Sequence, residues 1–365
     1  MSRLNINNLT NENEDGSPRI SGISTFSSTA FLEAPKGTTA QRPENVAPGM
    51  IRFNTDSGHL EYYTGEFWDE VLVANNTLDG GNRGLFGGGY TNTNIIDYVT
   101  ISSTGNALDF GDLTAAKHAL SACSSSTRGL FGGATPGTSN VIDYVTIAST
   151  GDAQDFGDLS TGRAYLSSTS SSIRGLFGGG ASSFPAGLNT IDYVTIASTG
   201  DAKDFGDLTQ VRQGIAACSS STRGVFANGE HLTTKYNIID YVTISTLGDA
   251  QDFGDLTLSR DRSSGCSNAT RGVFAGGAPS LTIIDFITIA STGNAQNFGE
   301  LSTQLGQHAS CSSSTRGLFG GGTSPGTTNI VEYITITTTG NAVDFGDLTQ
   351  ARRWISACSN GHGGL

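Results

Sequence analysis

Six copies of one phrase occupy the chain from Arg83 onward. Each opens Arg-Gly-(Leu/Val)-Phe, at Arg83, Arg128, Arg174, Arg223, Arg271 and Arg316. Each then passes through (Ile/Val)-(Asp/Glu)-(Tyr/Phe)-(Val/Ile)-Thr-Ile to (Asp/Asn)-Phe-Gly-(Asp/Glu)-Leu. Successive copies start 45, 46, 49, 48 and 45 residues apart. Short apolar β-runs between Gly-rich turns cannot cover both their faces within one copy, so neighbouring copies must cover each other. The period and the pattern together predict a β-propeller.

In the second copy the strands parse as Ala119–Ser126 (a), Arg128–Gly133 (b), Val141–Ile147 (c) and Ala153–Leu159 (d). Strand a, built of Ala, Ser and Cys, suits the crowded position nearest an axis. In strand c, Ile142, Tyr144 and Thr146 face one way and Asp143, Val145 and Ile147 the other; both sides carry apolar residues because both meet neighbouring blades. The phase of the repeat is informative. The first copy begins at strand b, and the last runs on into another strand-a sequence, Trp354–Asn360, placed to pair with the first copy's strand b and remove the open edges of a linear array. The expected architecture is all-β: a six-bladed propeller over residues 83–365 closed by the C-terminal strand. An extended arm (1–47), a small β-hairpin or meander (48–75) and a linker (76–82) precede it.

Cys123, Cys218, Cys266, Cys311 and Cys358 fill one slot of the repeat, with Thr169 in the remaining copy. One thiol per copy leaves no partner within a blade, and equivalent slots on adjacent blades are expected beyond the roughly 7 Å Cα separation that a disulfide allows. These cysteines are therefore expected to be buried and reduced. Fifty glycines and only 15% charged residues suit tight turns more than disorder. A net charge of −13 argues against nucleic acid or an anionic membrane as partner. No apolar run reaches membrane-spanning length and no apolar leader is evident. The expected location is a cytoplasm, or a particle assembled in one.

The order "LT-x-x-R … RGLFGGG … IDYVTI … DFGDL" resembles the kelch repeat, with a di-glycine ending strand b and an aromatic on strand c. Phe110, Phe156, Phe205, Phe253, Phe298 and Phe345 stand where kelch repeats usually carry Trp. Arg163, Arg212, Arg260 and Arg352 fill the kelch Arg slot, while Lys117 and Leu305 replace it in two copies. Ala227-Asn228-Gly229 and Ala275-Gly276-Gly277 depart from the di-glycine. Upstream, Pro48–Val71 (PGMIRFNTDSGHLEYYTGEFWDEV) resembles a segment found in bacteriophage tail-fibre and other virion proteins. That resemblance implies a virion protein whose N-terminal arm binds other virion proteins. A meander this small cannot build a good core alone, so it is expected to be buried by self-association or by docking on a partner; the resemblance to phage fibres favours a trimer.

Two carboxylate slots recur sixfold: Asp97, Asp143, Asp192, Asp240, Asp285 and Glu332 on strand c, and Asp112, Asp158, Asp207, Asp255, Glu300 and Asp347 beside Phe-Gly. Recurrence points to architecture, capping turn amides or pairing the repeat Arg. A catalytic pair instead requires two carboxylates in unlike environments. The five histidines are scattered, so no metal or other cofactor is expected. Loop variation is the better guide to function. The a–b and c–d turns are nearly constant, whereas the b–c loops and d–a segments differ in every copy and emerge on one face. Candidate binding residues there are Tyr90, His118, Arg163, Tyr165, Phe184, His231, Lys235, Tyr236, Arg262, Arg353 and Trp354. The reading is a non-enzymatic phage virion protein, a tail fibre, receptor-binding or structural component, whose propeller binds a host-surface glycan or protein, or a virion neighbour. The alternatives are a propeller glycosidase or lyase acting on host polysaccharide, and a cellular kelch-like scaffold.

Overall fold

A computed structural model describes residues 34–71, 82–90, 93–183, 185–279 and 281–365. The chain divides into two compact units, Met1–Asn75 and Asn76–Leu365.

In the first unit, Ile51–Asn54, His59–Tyr63 and Trp68–Val71 form an antiparallel meander. Of the expected arm, residues 1–33 lie outside the described residues, as do residues 76–81 of the expected linker. The arm's Lys36–Gly37 strand pairs in parallel with Ile51–Asn54, because the Pro35 and Gly37 carbonyls accept from the Phe53 and Thr55 amides. The sheet is inverted in polarity. Arg52, Asn54 and Glu61 are buried on one face, while Ile51 (53% exposed), Phe53 and Tyr62 stand exposed on the other. Glu61 accepts from Arg42 (2.6 Å) and Asn54 (3.2 Å) and pairs with Arg52 (3.1 Å). The Arg42 hydrogen bond, working against burial, holds the Glu61 carboxyl below the usual range.

Among the described residues, the second unit contains six antiparallel four-stranded sheets, each beginning at a short strand rich in Ser, Ala or Cys. The six inner strands are Ser121–Ser124, Ser167–Ser170, Ala216–Ser219, Ser264–Ser267, Ala309–Ser312 and Ser356–Ser359. Each neighbours two others, and the order of neighbours returns to its start. Ser356–Ser359 pairs with Arg83–Gly87 in the register Ser356↔Gly87 to Ser359↔Gly84, so the sheet containing the first phrase takes its inner strand from the far end of the repeat region.

Every element of the repeated phrase joins one sheet to the next. The guanidinium of Arg83 stacks 4.7 Å from the Tyr98 centroid and donates to the Ile147 and Ala148 carbonyls of the following sheet; Arg128, Arg174, Arg223, Arg271 and Arg316 do the equivalent. The glycine after it seats the cysteine of another sheet. A Cβ at Gly84 would stand 2.6 Å from the Cys311 Sγ, and Gly129, Gly175, Gly272 and Gly317 receive Cys358, Cys123, Cys218 and Cys266 in the same way. Thr169 presents its Cγ2 to Gly224 and donates its hydroxyl to the Cys218 carbonyl. All five cysteines are free and buried, and burial pushes the Cys266 and Cys358 thiols up to about 12. The phrase's Phe rings are buried between sheets; Phe131 lies against Gly87 and Phe177 against Gly132.

The constant c–d turn also joins sheets. Asp152, Asp201, Asp249, Asn294, Asn341 and Asn106 accept from the amides of Asp112, Asp158, Asp207, Asp255, Glu300 and Asp347. The Phe-Gly-Asp residues are therefore capped through their own amides and are not themselves the caps. They sit on the outer edge strand, where charge discourages edge-to-edge pairing. Residues after Ser359 fold over one end of the axis: His362 Nε2 lies 2.9 Å from the Ser124 carbonyl, and the Gly363 amide donates to Ser267 at 3.0 Å.

Candidate functional site

At the opposite end of the axis, six residues just before the inner strands form a closed cycle of backbone hydrogen bonds. The Ala119 amide donates to Trp354 (2.9 Å), Tyr165 to Ala119 (2.9 Å), Gly214 to Tyr165 (2.8 Å), Arg262 to Gly214 (2.7 Å), Gln307 to Arg262 (3.1 Å) and Trp354 to Gln307 (2.8 Å). All six sit at positive φ, between 54° and 63°. Left-handed backbone costs a non-Gly residue roughly 1 kcal/mol or more. The cycle of donors and acceptors holds the chain there and places five unlike side chains, with Gly214 contributing none, just before the inner strands.

Three of those side chains converge. Tyr165 and Trp354 meet edge-to-face with centroids 4.9 Å apart, and the Arg262 guanidinium lies 5.2 Å from the Trp354 ring. Asp261 pairs with Arg262 (2.8 Å) and Lys235 (2.7 Å), and Glu230 pairs with Arg262 (3.1 Å). Burial raises the Tyr165 hydroxyl pKa against the opposing pull of Arg262. Around this cluster is a shallow, open depression whose lining includes Leu166, Ile215, Ile355 and His308. His308 is 5% exposed, and neither ring nitrogen has a partner. Burial, helped by Arg260, pushes its pKa down to about 3.

The structure thus brings Tyr165, Arg262 and Trp354 together, with Lys235 behind Arg262. Tyr90, His118 and Arg353 form a second group: Tyr90 and His118 are edge-on at 5.2 Å, and Arg353 lies 4.6 Å from the Tyr90 ring. Burial, then Arg353, lowers the His118 pKa. His231 lies on the short strand Glu230–His231, which pairs with Thr234–Lys235, and Tyr236 follows it; both are half-buried. Phe184 lies outside the described residues.

Arg163 does not belong to a binding face. It is fully buried and pairs with Asp192 at 2.9 Å, as Arg212 does with Asp240 (2.7 Å), Arg260 with Asp285 (3.0 Å), Arg352 with Asp97 (2.6 Å) and Lys117 with Asp143 (2.7 Å). Each pair links one sheet to the next, and a Thr or Ser such as Thr209 donates to the same carboxylate. At the last junction Leu305 replaces the cation and Glu332 accepts from Ser302 alone among the described residues.

Gln307, His308 and Asp261 were not anticipated. Copy-by-copy reading contains a signal for them: the column Ala119, Tyr165, Gly214, Arg262, Gln307, Trp354 holds six different residue types beside nearly constant columns. The next column reads Leu120, Leu166, Ile215, Ser263, His308 and Ile355, so His308 stands where four sheets place Leu or Ile. His308→Leu is accordingly expected to stabilise the protein, most of all in acid. The unfolded chain takes up this proton near pH 6.5 and the folded one only near pH 3, so native stability declines as pH falls through that window. The Tm advantage of His308→Leu over the parent should grow between pH 7 and pH 4; a constant advantage would show that the imidazole titrates normally. Compared with protein-family models and with curated proteins, the chain matches none.

Proposed function

We propose that residues 83–365 form a six-bladed kelch-like β-propeller, and that the protein is a non-enzymatic component of a phage particle. Its N-terminal arm attaches to other virion proteins, and its axial cluster faces a host-surface molecule or a virion neighbour. The observation that carries this reading is the concentration of non-repeating Trp, Tyr and Arg on a scaffold that otherwise repeats. Those residue types dominate binding hot spots at interface centres. The strand-c carboxylates that acid–base chemistry would draw on are buried against neighbouring sheets, which favours binding over hydrolysis. The exposed Ile51, Phe53 and Tyr62 face of the small sheet supports self-association through the meander; a trimer is the proposed state.

Trp354→Ala tests the reading with little risk to folding, since Ala119 occupies the equivalent left-handed position. Particles carrying it should adsorb to host cells at least tenfold more slowly than the parent, with an unchanged melting profile of the purified protein. Adsorption at the parental rate would remove the axial cluster as the contact surface.

A further inference from the structure

The chemistry of the axial depression is specific enough to name a ligand class. Its charges are already balanced: Arg262 and Lys235 face Asp261 and Glu230. An anionic ligand would have to compete with two carboxylates for its cation, and a cationic one would meet Arg262. What lacks a partner is uncharged. The Gln307 Oε1 and both ring nitrogens of His308 are buried without a hydrogen bond. A neutral imidazole offers one donor and one acceptor, and an amide oxygen offers an acceptor. Buried polar atoms left unpaired cost free energy that a matching ligand recovers. The surrounding walls are apolar and aromatic: Tyr165, Trp354, Ile215 and Ile355.

We propose that this depression binds one uncharged pyranose residue, with its C–H face against the Tyr165–Trp354 pair and its hydroxyls bonded to Gln307 and His308. A pyranose combines an apolar face with alternating hydroxyl donors and acceptors, which is the complement of this lining. Replacement of the Leu or Ile found in four equivalent positions by an unpartnered His fits a residue retained for binding at the expense of stability. The inference rests on the axial face being the binding face, and it gives that face a ligand class.

The chain has two tryptophans, so Trp68→Phe in the full-length protein leaves Trp354 as the sole indole reporter. Its fluorescence should be titrated with methyl glycosides of glucose, galactose, mannose and N-acetylglucosamine, and with glucuronate. At least one neutral glycoside should give a saturable change in the millimolar range, and glucuronate a weaker one. Gln307→Ala and His308→Leu should each raise that Kd tenfold or more, with a Tm for His308→Leu at or above the parent's. Saturation by glucuronate alone, no response to any neutral glycoside, or parental affinity in His308→Leu would overturn the proposal. Loss of adsorption in Trp354→Ala without sugar binding would reject the ligand class and keep the face. Sugar binding with parental adsorption in Trp354→Ala would keep the sugar site and reject its role in attachment.

Discussion

A chain truncated after Arg353 is expected to lose its cooperative folding transition. The deletion removes Ser356–Ser359, the strand that pairs with Arg83–Gly87, and leaves the fully buried Leu85 and Phe86 beside an open edge. It takes away Trp354, which closes the six-membered backbone cycle, and Cys358, which packs on Gly129. The hydroxyl chain around the axis is cut as well, since Ser359 donates to Ser312 and accepts from Ser124. A cycle of sheets depends on every junction, so one missing strand breaks two. The combined loss is of the order of a domain's whole net stability, about 5–15 kcal/mol. Circular dichroism during urea unfolding should show a broad, non-cooperative decay. A transition with parental midpoint and slope would mean that the last strand is dispensable and that the sheets do not depend on closure.

The second large effect is expected at a buried ion pair. Arg212→Ala should destabilise the protein by about 3–5 kcal/mol, because Asp240 would remain charged and unpaired with no exposure to solvent. The double variant Arg212→Leu/Asp240→Asn should recover most of that loss. Only Nη2 of Arg212 is engaged, with Asp240 and the Phe226 carbonyl, while Nε and Nη1 have no partner, so the pair is imperfectly satisfied. Leu305 shows that the next-but-one junction tolerates an aliphatic residue in this slot. Equal destabilisation in the single and double variants would place the effect in the packing of the Arg212 stem and not in charge.

The strand pattern was legible because each strand buries alternate residues and the copies can be aligned. Arg128–Gly133 was expected and Arg128–Ala134 is observed; Val141–Ile147 was expected and Ser139–Thr146 is observed. The pairing of the last strand, Ser356–Ser359, with Arg83–Gly87 was legible from phase alone. What a single sequence hides is which neighbour a repeated residue meets. Gly84 and its equivalents read as ordinary positions of strand b, yet they are seats for a thiol from another sheet, a contact made by residues far apart in the chain. The Phe-Gly-Asp carboxylates read as caps, while the caps are the Asp and Asn of the constant turn. In the small sheet, alternation alone gave no sign that its polar face is the buried one. At the axis, Tyr165, Arg262 and Trp354 were legible as non-repeating residues on a variable segment, but Arg163 in the same segment was not separable from them. Its burial depends on Asp192 in the following sheet.

The most direct test of the account is an electron cryo-microscopy map of particles purified from infected cells. The proposed function predicts density for residues 83–365 on the particle, with the Tyr165–Arg262–Trp354 end open to solvent where a host-surface molecule can reach it. Recovery of the protein only from the soluble fraction of infected cells would contradict the virion reading, and a map with that end buried against the particle would exclude a host-surface molecule as its contact and leave a virion neighbour.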